Sequence, residues 1–178
     1  MVRCFIGFLL PENVRKEIFS IQEEMKKWPI TCKFVETENL HVCLSFLGDV
    51  DEKEVGRIKK ELDYIGKNYS KFEASIGRIK PIPSENYIRV LVLDVFDEDG
   101  ILERIRKDVV QRIGGDSKPP HLTLCRVKNV SDKKNVAGNL GEMKSDLGKF
   151  SFSYIHLIKS ELGRNGPIYS VIHESELL

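Results

Sequence analysis

The sequence has no apolar run approaching the about 18 residues that a membrane-spanning helix requires. It also lacks any Cys-x-x-Cys pair. Its four cysteines, Cys4, Cys32, Cys43 and Cys125, all sit in apolar or strand-like surroundings, which reads as reduced, mostly buried thiols in a cytoplasmic protein. Neither sign of charge is in excess: 28 Lys and Arg face 27 Asp and Glu, for a net charge of +1. Proteins that wrap long nucleic acid carry a clear basic surplus, so a nucleic-acid partner is narrowed to one with few phosphates, such as a short RNA end or a nucleotide. Glutamine is scarce, with two residues, while Lys, Glu and Ile are frequent, a balance that leans toward a heat-loving source. There is no low-complexity segment and no linker. The opening MVRCFIGFLLPENV has neither a basic n-region nor a small-residue cleavage site, and it alternates like a strand, so it reads as structure rather than a signal peptide.

What is present is a regular alternation of strands and helices. Val2, Cys4, Ile6 and Phe8 predict a strand over 2–9. Pro11 opens a helix to about Lys27, with Val14, Ile18, Ile21 and Met25 on one stripe, and Trp28-Pro29 ends it. Strands over 31–36 and 41–47 follow, with Gly48-Asp49 as a turn and Asp51 capping a helix to about Gly66. A strand over 70–82, a hairpin connection at 83–86, an apolar strand at 87–95 and a helix from Asp97 to Ile113 come next. Gly114-Gly115 ends that helix, and Pro119-Pro120 stiffens the approach to a strand over 121–127. Ser131 caps a helix to about Met143. Strands near 149–160 and 167–174 close the chain, with a turn at 163–166.

Two of these strands are nearly the same: HVCLSFLG at 41–48 and HLTLCR at 121–126. Each is followed by an acidic cap, a helix and a related strand, KFEASIGRIK and KFSFSYIHLIK, and each is preceded by a strand, a helix and a proline-bearing break. The inference is a duplicated strand-helix-strand-helix-strand unit, approximately 1–82 and 87–175. The two units form one domain over 1–178 and pair about a pseudo-twofold axis, with room for strand exchange between lobes. The expected fold class is α+β and bilobal, with antiparallel sheets lining a central cleft and helices outside.

Residues i, i+2 and i+4 of a strand share a face. By that rule His41, Cys43 and Ser45 point one way, and Val42, Leu44 and Phe46 point into the core. In the second copy His121, Thr123 and Cys125 share a face. A pseudo-twofold then sets two imidazoles facing each other across a cleft. That layout suits in-line displacement at phosphorus, where one histidine deprotonates the nucleophile and the other protonates the leaving oxygen. His156 and His173 have no counterpart in the other copy and read as ordinary strand residues.

The pair HVCLSFLG and PHLTLCR, with the strand RCFIGFLLPENV and the FLGDV after the first motif, resembles the two-histidine (2H) phosphoesterase superfamily and its HxTx motif. It is most similar to the RNA 2′,3′-cyclic phosphodiesterases, also called 2′-5′ RNA ligases. The resemblance implies hydrolysis of a 2′,3′-cyclic phosphate to a 2′-phosphate without metal or cofactor, in RNA processing, on RNA ends or nucleotides. It implies His41 as proton donor and His121 as proton acceptor, with Cys43, Thr123 and Arg126 binding phosphate. Cys43 stands where the family has Thr or Ser, and a thiol is the poorer donor. Phe46 is a candidate base contact, although the alternation favours core packing for it. No membrane association is expected, and a monomer is. Alternatives are 2′-5′ ligation as the main activity, an RNA-end-binding module using strand aromatics such as Phe72, Phe150, Phe152 and Tyr154, and tetrahedral zinc held by His41, Cys43, His121 and Cys125. The last is disfavoured by the strand setting of the ligands and by the neighbouring Arg126.

Overall fold

The computed structural model describes residues 1–143 and 147–178. In chain order these form β1 (Val2–Leu9), α1 (Glu12–Met25), β2 (Ile30–Phe34), β3 (His41–Val50), α2 (Glu52–Asn68), β4 (Phe72–Ser84), β5 (Tyr87–Phe96), α3 (Ile101–Arg112), β6 (His121–Val130), α4 (Lys133–Glu142), β7 (Lys149–Phe152), β8 (Tyr154–Leu162) and β9 (Pro167–Glu176). A short 3-10 turn, Thr37–Asn39, leads into β3. The described residues include no helix long and apolar enough to cross a membrane.

All strand pairs are antiparallel. The order runs β7-β4-β5-β6-β3-β1-β8-β9, and β2 lies along the outer part of β6. β3 and β6 meet at a single pair, Val42 opposite Leu122, so the sheet divides there into two lobes. One lobe holds β3, β1, β8 and β9, and the other holds β7, β4, β5, β6 and β2. The halves of the chain interleave: β4 pairs with β5 of the second half, and β8 pairs with β1 of the first. The fold is α+β and bilobal, with helices outside. Their apolar stripes, such as Val14, Ile18 and Met25 of α1 and Ile58, Leu62 and Ile65 of α2, enter the core.

Several local expectations change. Gly48 is a bulge inside β3, not a turn: Cys4 faces Gly48 while Phe5 faces Phe46, which leaves Leu47 as the extra residue, and Gly48 takes φ 69°. α3 begins at Ile101. Asp97 precedes it and accepts from the Ile101 and Leu102 amides at 2.6 and 3.0 Å, so it caps from outside the helix. Asp132, not Ser131, caps α4 by accepting from Asn135 N–H, while Ser131 Oγ donates to Pro29 O. The strand expected near 149–160 breaks at Ser153, because β7 pairs with β4 in one lobe and β8 with β1 in the other. Phe72, Phe150 and Phe152 pack in the core, which removes three of the four aromatics of the stacking platform.

One of the two glutamines fills the fork where β2 and β3 part along β6. Gln22 of α1 is 2% exposed, and its Nε2 donates to Val35 O at 2.9 Å and Leu124 O at 3.1 Å. Leu124 O also receives Val35 N–H. In Gln22→Leu, Val35 O loses its donor in a part-buried setting, a loss at the lower end of about 1–3 kcal/mol. The expected result is a lower urea midpoint at unchanged slope.

Candidate active site

β3 and β6 both begin on a histidine, and their one shared pair places those histidines. Extending the register of Val42 and Leu122 by one residue each way sets Thr123 across from His41 and Cys43 across from His121. The histidines lie on the diagonal of this quartet, where antiparallel neighbours are about 7–8 Å apart. All four residues line a cleft of about 410 Å³ between the lobes, together with Phe5, Asn39, Phe46, Lys118, Arg126 and Tyr169 among others.

The two imidazoles are held alike. His41 Nδ1 lies 2.7 Å from Asn39 O, and His121 Nδ1 lies 2.8 Å from Pro119 O. A carbonyl only accepts, so each Nδ1 carries the proton when the ring is neutral. Each Nε2 is then left as the nitrogen that exchanges protons.

Strict alternation fails in both strands at the same place. Ile6 faces Ser45 and Gly7 faces Cys43, so Leu44 is an extra residue. Leu91 faces Cys125 and Val92 faces Thr123, so Leu124 is its counterpart. Beyond each bulge the faces exchange. Ser45 and Cys125, expected in the cleft, are fully buried. Phe46 and Arg126, each five residues past its histidine, turn into the cleft instead. Phe46 is therefore not core as the alternation predicted; it is 37% exposed, with the Arg3 guanidinium 4.9 Å from its ring centre. With Cys125 turned away, the four zinc ligands never share one face. The bulge also explains Gly7, where a Cβ would lie 2.5 Å from Val42 O.

Each bulge grips the segment leading to the other histidine. The first holds residues 114–117: Ser45 Oγ donates to Gly114 O at 2.6 Å, Phe46 and Asp116 exchange backbone bonds at 2.7 and 2.9 Å, and Ser117 Oγ donates to Leu44 O at 2.5 Å. The second holds Val35 through Leu124 O. Ser45 is consumed by this work and does not face a ligand.

The surroundings of the two histidines differ. His41 packs against Phe5 and Tyr169, with centroids at 4.5 and 5.5 Å, and Phe5 and Tyr169 pack on each other at 4.9 Å. Burial there pushes His41 below the ordinary imidazole value, the neighbouring His121 adds to the shift, and the bond to Asn39 O opposes it. Burial, then the Asp116 carboxylate, pushes the Cys43 thiol up to about 11, so it stays protonated at neutral pH. The Arg126 side chain is exposed and its guanidinium has no hydrogen bond or ion pair among the described residues, whereas Lys118 pairs with Asp116 at 3.5 Å.

Phe5, Asn39 and Tyr169 were not singled out in the sequence. Tyr169 comes from β9, far along the chain, and no local pattern marks it. Asn39 was legible in principle, since it stands two residues before His41 as Pro119 stands before His121. His173 ties β9 to α2, with Nε2 2.7 Å from Asp63 Oδ1, and Ser175 Oγ donates to the same oxygen at 2.6 Å. His156 is buried near Glu174. Both lie away from the cleft lining, as expected of strand residues.

The chain matches a model described as LigT-like phosphoesterase over residues 8–92, a stretch that includes His41. It is 36% identical to the RNA 2′,3′-cyclic phosphodiesterase of Methanocaldococcus jannaschii, over 97% of this chain and 99% of that one. It is 34% identical to the protein of the same name from Methanothermobacter thermautotrophicus, over 95% of both. The fold superposes on E. coli LigT complexed with phosphate at a TM-score of 0.79 and 18% identity, covering 99% of this chain and 97% of that one. Sequence similarity over nearly the whole length, and not the shared fold alone, decides the assignment: the chain belongs to the LigT-like phosphoesterase family of two-histidine enzymes.

Proposed function

We propose that this protein hydrolyses the 2′,3′-cyclic phosphate ends of RNA to 2′-phosphates, with His41 and His121 as its acid and base. The observation that carries the reading is the matched pair of imidazoles, each fixed through Nδ1 and each with Nε2 left for proton exchange, on diagonal positions of one strand pair. Water attacks phosphorus from the His121 side and gives its proton to His121 Nε2. The bond from phosphorus to O3′ breaks on the opposite side, and O3′ takes the proton from His41 Nε2. Solvent exchange then restores both histidines. Thr123 and Cys43 donate to the non-bridging oxygens, and Arg126 supplies the positive charge that neither neutral side chain offers. Phe46 flanks the cleft as a surface for the terminal base.

The names of the relatives support the substrate, and the solved complexes of E. coli LigT with phosphate and with 3′-AMP are in keeping with a cleft that takes a nucleotide end. The same reading treats 1–178 as one domain whose two units exchange β4 and β8, and it places the protein in a reducing, cytoplasmic setting that suits its four free thiols.

The test is product analysis. Purified protein with chelator present is given a nucleoside 2′,3′-cyclic phosphate, and the products are separated by chromatography that resolves 2′- from 3′-phosphates. The 2′-phosphate alone is expected. A 3′-phosphate product, or loss of all turnover in chelator, refutes the reading.

A further inference from the structure

The two donors that face the phosphate are chemically unlike. By register Thr123 stands across from His41 and Cys43 across from His121, so a hydroxyl and a thiol approach from opposite strands. Among the described residues β3 brings no second hydroxyl to the cleft beside Cys43, and Arg126 stands on β6, the strand of Thr123. Ser45, the next hydroxyl along β3, is buried and committed to Gly114 O. A hydroxyl bonded to a charged oxygen makes one of the stronger hydrogen bonds, whereas an S–H is a weak donor. A cyclic phosphate carries two non-bridging oxygens that share one negative charge. One of them meets the strong donor and the other the weak one.

We propose that the cleft distinguishes these two oxygens and therefore also hydrolyses 2′,3′-cyclic phosphorothioate ends in one configuration, the one with sulfur on the Cys43 side. This rests on the hydrolytic reading above and adds a second class of substrate to it. Sulfur accepts hydrogen bonds more weakly than oxygen, so placing it against Thr123 forfeits a strong bond. Placing it against Cys43 forfeits little, because the thiol gave little to the oxygen. Cys43 lines the open cleft of about 410 Å³, where the larger atom would lie. The step itself is unchanged. The water oxygen bonds to phosphorus and its proton passes to His121. The bond to O3′ breaks and O3′ takes the proton of His41. Sulfur stays on phosphorus, and the product is a 2′-phosphorothioate.

The experiment uses the separated diastereomers of a nucleoside 2′,3′-cyclic phosphorothioate beside the all-oxygen ester. Wild type, Cys43→Thr and the exchange variant Cys43→Thr/Thr123→Cys are compared. Each rate is divided by the same protein's rate on the all-oxygen ester, so partial misfolding cancels. In wild type one diastereomer is expected within about threefold of the all-oxygen ester and the other at least about tenfold slower. Cys43→Thr should slow only the favoured diastereomer and bring the two together, and the exchange variant should invert their order. Equal diastereomer rates in wild type, or a preference that survives the exchange, overturns the inference while leaving the hydrolytic reading intact. No turnover of the all-oxygen ester by wild type overturns both.

Discussion

His41→Ala and His121→Ala are each expected to lower kcat/KM for a cyclic phosphate by about 10²–10⁴-fold, the usual share of a positioned acid or base. Both histidines act on one phosphorus in one step, so the double variant should be little worse than either single one. Full activity in either variant refutes the two-histidine mechanism. The imidazoles are not interchangeable, and the pH profile separates their roles. His41 lies below the ordinary imidazole value because Phe5 and Tyr169 shield it from water, with the nearby His121 as a lesser cause. A proton donor must be charged to act. If His41 is the donor, kcat/KM falls as pH rises through its pKa, so the alkaline limb lies below the ordinary imidazole range. Tyr169→Ala opens the box, restores solvation, raises the His41 pKa and shifts that limb to higher pH. Movement of the acid limb instead would make His41 the base and reverse the assignment.

Much of this site can be read from the sequence, and what cannot has a physical cause. The repeat places a histidine at the head of two strands, and alternation correctly puts His41 with Cys43 and His121 with Thr123. It fails one residue later. A bulge inserts a residue without changing the hydrophobic pattern: Leu44-Ser45 and Leu124-Cys125 read as in-and-out pairs, yet both members are buried. Period-two reasoning therefore sent Phe46 inward and Cys125 outward, and each lies on the opposite face. Arg126 was placed in the site by family resemblance, whereas the structure gives the reason, since the bulge at Leu124 returns it to the cleft. Asp97 and Asp132 show the same limit at helix ends, where several acceptors compete and only backbone geometry selects one. Tyr169 was out of reach, because its place beside His41 depends on β8 crossing to β1 and carrying β9 with it.

Arg126→Ala is expected to cost about 10²–10³-fold in kcat/KM, comparable to the loss of a preorganised donor at a developing charge. The cleft's other basic side chains are already engaged: Lys33 Nζ donates to Asn165 O at 2.7 Å, and Lys118 pairs with Asp116. Arg126 makes no such bond among the described residues, it is exposed, and it stands beside Thr123 on the face that meets the phosphate. Its removal strands no buried partner, so the unfolding free energy from urea titration should stay within about 0.5 kcal/mol of wild type, as for an ordinary surface substitution. Loss of activity without loss of stability separates a phosphate-binding role from a structural one. Arg126→Lys restores the charge but not the planar fork and should recover only part of the rate. A variant that loses stability in step with activity would show instead that Arg126 holds β6 in place. A fully active alanine variant would refute the role and leave the protonated His41, Thr123 and Cys43 to hold the phosphate.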